Sequence, residues 1–103
     1  MKRIEDCSSI EEVRAQIDRI DRQMVALLAE RGAYVKQAAR FKKSSDDVKA
    51  PQRVEQVIAK VMALSQELGT NPVVTEQVYR AMIAAFIEAE LAEHAALKGE
   101  APG

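Results

Sequence analysis

The chain has no tryptophan, its aromatic residues amount to 4%, and it carries one cysteine, Cys7, and one histidine, His94. A lone cysteine excludes a disulfide framework, and no second Cys or His stands at metal-ligand spacing, so no metal is expected. A reduced, cytoplasmic setting fits this usage. With so little aromatic bulk and 103 residues, a single chain has a thin core, since small domains bury a modest fraction of their surface. Neither charge sign dominates: 15 basic residues face 16 acidic ones. That balance excludes a general nucleic-acid surface, which needs a basic excess, while leaving room for a local cationic pocket. No run approaches about 18 apolar residues and the N-terminus has no apolar signal core, so no membrane span or export is expected. There is no glycine-rich phosphate loop, and Ser44 and Ser45 have no histidine partner for nucleophilic catalysis.

What is present is helical periodicity. Ser9-Ile10-Glu11-Glu12 reads as a capping box, in which the serine oxygen takes one free N–H and Glu12 reaches back to another. Val13, Ile17, Ile20, Met24, Leu27, Tyr34, Ala38 and Phe41 then recur at alternating steps of four and three, a heptad seam. The slot between Leu27 and Tyr34 is held by Arg31, a charge where the pattern asks for an apolar group. The spacing predicts a helix from residue 10 to 42, about 50 Å long. Residues 43–49 are polar and read as a loop. Pro51 suits the first turn of a second helix, with Val54, Val57, Ile58, Val61, Met62 and Leu68 as its apolar face and Gly69 as its stop. Asn71-Pro72 opens a third helix carrying Val74, Val78, Ile83, Phe86, Ile87 and Leu91, which frays near Leu97. The expected architecture is all-α: three helices, the first much the longest, in one domain over residues 1–98, with a disordered tail at 99–103. A lone chain would leave the first helix partly uncovered, so pairing of two chains in a helical bundle is expected.

Three cations on the first helix sharpen this. Arg31 and Lys42 are eleven residues apart, about three turns, and on an ideal helix lie within roughly 20° of one face. Arg14 precedes Lys42 by about 42 Å of helix, too far for one small ligand, and points about 100° away from Arg31. Arg31 and Lys42 can thus build one anion site, which Arg14 joins from a second chain. The plainer reading of Arg31 is a packed stem with its head in water. Against that, two like charges on one face repel unless an anion lies between them, and an arginine binds a carboxylate bidentately.

Glu90 falls on the apolar stripe of the third helix, seven residues after Ile83 and four after Phe86. Its plainer reading is a carboxylate at the stripe's edge, paired with Arg31 or Lys42. Burial favours a neutral carboxyl, able to donate a hydrogen bond, and nearby cations favour the charged form. Arg53, at the start of the second helix, reads equally as a surface charge or a ligand contact. Arg14 is also placed to pair with Asp18 along its helix. Asp18, Arg19, Asp21 and Arg22 read as a solvated face, Glu88, Glu93 and Glu100 as solvated charges, and His94 as a surface residue. Several cations plus one donor, without nucleophile or metal, suit clamping a small dicarboxylate and stabilising charge that develops on an oxygen.

Glu5-Asp6-Cys7, Ile17-Asp18-Arg19-Ile20-Asp21, Tyr34-Val35-Lys36, Arg40-Phe41-Lys42, Ala50-Pro51 and Arg53-Val54 occur here in order. On these segments the chain resembles the all-helical chorismate mutase family, and within it the isochorismate-pyruvate lyase branch, over nearly all of residues 5–95. The resemblance implies an intertwined homodimer with two equivalent sites. It implies that Arg14 reaches a substrate carboxylate from the partner chain and that Arg31 holds the enolpyruvyl carboxylate. Lys42 would hydrogen-bond the ether oxygen, Glu90 would donate to the same oxygen and so must be protonated, and Arg53 would line the mouth. No cofactor is implied, because a pericyclic rearrangement acts on one bound molecule. Where many mutases carry a carboxylate for the ring hydroxyl of chorismate, this chain has Val54, as in the lyase branch. Glu90 leans the other way, since the resemblance implies glutamine there in a lyase, and the Trp-rich carboxy-terminal half of such a lyase is missing. The expectation is a chorismate mutase forming prephenate, with isochorismate-pyruvate lyase next and an amino analogue of chorismate still open. The remoter alternative is a non-catalytic dimeric adaptor or metabolite sensor, which the heptad seam and near-zero net charge also fit.

Overall fold

A computed structural model describes residues 4–97. The tail expected to be disordered, with Glu100 in it, lies outside the described residues. These form four helices and no strand: α1 (Ile10–Ala39), α2 (Ser45–Lys49), α3 (Pro51–Leu68) and α4 (Pro72–Leu97). Three are long, as the periodicity predicts, and the fold is all-α. Among the described residues no helix is long and apolar enough to cross a membrane.

Local chemistry sets most of the boundaries. At the start of α1, Glu12 N–H donates to Ser9 Oγ at 3.2 Å, the first half of the expected capping box. The return arm reaches one residue further than expected: Ser8, not Ser9, donates its N–H to Glu12 Oε2 at 2.8 Å and its hydroxyl to Oε1 at 3.1 Å. These bonds hold the Glu12 carboxyl below its ordinary value, the Ser8 backbone N–H contributing most. The α3 C-terminus is a Schellman turn on Gly69 (φ 74°), whose N–H reaches Gln66 O while Thr70 N–H reaches Ser65 O at 2.9 Å. Asn71 Oδ1 then accepts from Val73 N–H at 3.0 Å and caps α4.

The end of α1 departs from expectation. The helix stops at Ala39 rather than at residue 42. Arg40, Phe41 and Lys42 each donate their N–H three residues back, to Gln37, Ala38 and Ala39. That tightened turn abandons the 100° step, so the ideal-helix projection that aligned Lys42 with Arg31 does not hold. Phe41, counted in the heptad seam, is 82% exposed. The loop expected at 43–49 contains α2. Ser44 caps it by accepting Asp47 N–H at 3.3 Å, and Asp47 Oδ2 accepts Lys43 N–H at 3.0 Å. Ala50 ends α2 and begins α3 at φ 34°, the left-handed region, which costs a non-glycine residue about 1–2 kcal/mol.

The chain forms two compact units, one up to Tyr34 and one from Val35 onward. In the first, the α1 stripe is exposed along its length, from Val13 at 37% and Ile20 at 41% to Ile10 at 54% and Leu27 at 62%. In the second, α3 packs along α4 and α2 packs on α4. Ala39, Val48, Ile58, Val61 and Ile83 are its buried apolar residues, flanked by half-buried Val54, Val57, Met62, Phe86, Ile87 and Leu91. Leu68, Val74 and Val78, expected on these faces, are about half exposed. Polar links supplement the packing. Ser65 Oγ lies 2.7 Å from Thr75 Oγ1. Arg80 forks onto both Glu55 oxygens at 2.9 and 3.1 Å and also meets Glu76 at 2.9 Å. The Arg80 hydrogen bonds hold the Glu55 carboxyl below its usual range and push the guanidinium further up.

Candidate active site

Of the five singled-out residues, the structure joins Lys42 and Glu90. Lys42 lies just beyond α1, so its position is set by side-chain and turn contacts rather than by a helical ladder. Glu90 projects from α4 and is 7% exposed. Lys42 Nζ stands 3.2 Å from Glu90 Oε2. The pair meets at ion-pair distance but off hydrogen-bond geometry: among the described residues Oε2 has no hydrogen-bond partner. A buried carboxyl oxygen in that condition retains the capacity to bond a further group, and leaving it unmade is costly. Lys42 Nζ also donates to the Asp47 carbonyl at 3.2 Å. Its side chain is 26% exposed, so the ammonium sits at the rim of the buried carboxyl.

The plainer reading of Glu90, a carboxylate on the stripe paired with Arg31 or Lys42, is the one seen here, through Lys42. His94 does not match its surface reading: it is 6% exposed, and its Nε2 lies 2.9 Å from the Lys42 carbonyl. The signal was present, because His94 follows Glu90 by four residues and shares its face. Asp47 was also missed as a neighbour of Lys42.

Arg53 stands exposed in the first turn of α3, and the next residue, Val54, is half-buried. In the first unit, Arg14 is exposed and Arg31 half-buried, both on α1 and about 25 Å apart along it. That separation keeps the requirement that Arg14 serve another chain's site if it serves one with Arg31. The first unit also has a groove of about 570 Å³ where Ile4–Cys7 lie against Val13, Ile17 and Ile20. The groove contains none of the five. Among the described residues no group of three His, Cys, Asp or Glu side chains is placed to hold a metal ion.

Chemically, the second unit presents an ammonium and a buried carboxyl side by side. Together they can place one or two donors on a single acceptor atom, depending on the carboxyl proton. The sequence matches the family described as chorismate mutase type II over residues 13–91. It is 34% identical over 91 residues to the isochorismate pyruvate lyase of Pseudomonas aeruginosa, an alignment covering 88% of this chain and 90% of that protein. The match spans α3 with Arg53 and α4 through Glu90, and the alignment takes in most of both chains, so this protein belongs to the chorismate mutase type II family.

Proposed function

We propose that the protein is a chorismate mutase, rearranging chorismate to prephenate in a homodimer. The observation that carries this is the Lys42–Glu90 pair: a cation and a buried carboxyl meeting at one point, with Oε2 unbonded. In the rearrangement the ether C–O bond breaks while a C–C bond forms between the enolpyruvyl methylene and the ring. All atoms stay in one molecule, so no co-reactant is needed. Negative charge grows on the ether oxygen as the bond lengthens. Lys42 donates to that oxygen, and a protonated Glu90 donates beside it, so both interactions strengthen toward the transition state. Arg31 binds the enolpyruvyl carboxylate, Arg14 of the partner chain binds the ring carboxylate, and Arg53 lines the mouth. The two carboxylate clamps hold the substrate folded, which lowers the entropic part of the barrier.

The half-exposed stripe from Ile10 to Leu27 supports the homodimer. A contiguous apolar face on a helix is an association surface, and a second α1 buries it while carrying its Arg14 along.

The second reading is isochorismate-pyruvate lyase. There a ring hydrogen moves to the enolpyruvyl methylene as the C–O bond breaks, releasing salicylate and pyruvate. Val54 in place of a carboxylate, together with the 34% identity to a protein of that name, favours it. Glu90 favours the mutase. Purified protein assayed with each substrate between pH 5 and 8 separates the two. Prephenate without salicylate establishes the mutase. Efficient salicylate release establishes the lyase, and neither product leaves a binding module.

A further inference from the structure

We propose that His94 is a positioning residue, holding the Lys42 main chain so that its ammonium meets the reacting oxygen; this rests on the active-site reading above. Lys42 sits where regular structure has ended. Its own N–H reaches Ala39 O at 3.3 Å in the tightened turn, and in the segment that follows Lys43 N–H donates to Asp47 Oδ2 at 3.0 Å. Its carbonyl is met by His94 Nε2 at 2.9 Å. A carbonyl oxygen cannot donate, so Nε2 carries the hydrogen and His94 is the donor.

Glu90 and His94 are one turn apart on the same face of α4, and both are buried. One face of one rigid helix therefore grips Lys42 twice: Glu90 at the ammonium, His94 at the backbone. The side chain has several rotatable bonds between those points, and fixing both ends removes most of its freedom. The imidazole bonds the Lys42 carbonyl, and the carboxyl one turn earlier on α4, that of Glu90, meets the Lys42 ammonium. Neither contact requires the ring to transfer a proton to substrate, which is why His94 positions rather than reacts.

Loss of this tether lets the ammonium drift while leaving every other substrate-touching group in place. A misplacement of about 1 Å at a reacting centre costs on the order of 100-fold. Because Lys42 acts chiefly in the transition state, the loss falls on kcat and not on KM.

The test uses full-length protein with four variants: Lys42→Ala, His94→Leu, His94→Phe and His94→Gln. Glutamine places an amide N–H near the Nε2 position, and the other two remove the donor. Expected are a kcat of His94→Leu and His94→Phe about 10- to 100-fold down, KM within about 3-fold, and recovery in His94→Gln to within about 3-fold of the parent. Full activity of either donor-less variant while Lys42→Ala is inactive overturns the His94 proposal and leaves the site intact. Equal loss in His94→Gln shows that the ring's packing matters, not its bond, and also overturns it. Full activity of Lys42→Ala overturns the site reading itself. Should the donor-less variants fail to fold, nitrogen NMR of the unaltered protein decides. A proton on Nε2 supports the proposal, and a neutral ring protonated only on Nδ1 refutes it.

Discussion

Replacing Lys42 with alanine separates two roles that one ion pair combines. At 3.2 Å and an effective dielectric of about 20, the gross attraction between Lys42 and Glu90 is about 5 kcal/mol. Desolvation of the buried carboxylate offsets most of it, and the ammonium is partly in water, so the net stabilisation is about 1–2 kcal/mol. Lys42→Ala leaves Glu90 buried without its cation, so stability should fall by about 1–2 kcal/mol. Activity should fall further, by about 100- to 1,000-fold in kcat, since the removed donor faces growing negative charge. Adding Glu90→Leu removes the stranded carboxyl and should restore stability without restoring turnover. Denaturant melts and steady-state kinetics on the single and double variants make the comparison. Single-variant turnover within about 3-fold of the parent would refute the placement of Lys42 at the reacting oxygen. So would parallel recovery of stability and turnover in the double variant.

Other consequences concern Glu90, the partner chain and the caps. If Glu90 donates as an acid, kcat of the parent declines as pH rises and that of Glu90→Gln, a donor at every pH, does not; matching pH profiles would rule out the acid role. Mixing inactive Arg14→Ala and Lys42→Ala subunits should restore about a quarter of the parental activity, because half the dimers are mixed and each has one intact site. No recovery after subunit exchange would place Arg14 outside the partner's site. Glu12 and Glu55 have carboxyls lowered in the folded state, so their stabilisation is complete above the ordinary value of 4.5 and is lost as pH falls through their folded values. Glu12→Gln and Glu55→Gln melts should approach that of the parent below this range and fall short of it at neutral pH.

The three long helices were legible because their ends are written locally. Ser9, Gly69 and Asn71 each satisfy a helix terminus with their own atoms, and Pro51 fills a first-turn position that needs no N–H. The end of α1 was not, since no proline or glycine lies between Gly32 and Pro51 to mark it. It is set by a competing start, the Ser44–Asp47 cap of α2, whose Ser-x-x-Asp spacing resembles the box at Ser9. Glu90 could be read from its place in the stripe. His94 could not be read from its residue type, because a lone histidine carries no motif; its burial follows from lying one turn beyond Glu90. That Lys42 meets both is a long-range fact, linking positions 42, 90 and 94 through the packing of α2 on α4.

The left-handed Ala50 has a consequence for what lengths the chain can adopt. One residue closes α2, accepting nothing from a side chain, and its carbonyl starts the ladder of α3 by receiving Val54 N–H at 3.1 Å. The two helices thus share a vertex without slack. An extra residue there would turn α3 by about 100° and swing Arg53 off its present bearing, while Asp47, on the other side of the vertex, stayed with Lys42. Across the vertex at 50, length is as constrained as chemistry is at Lys42.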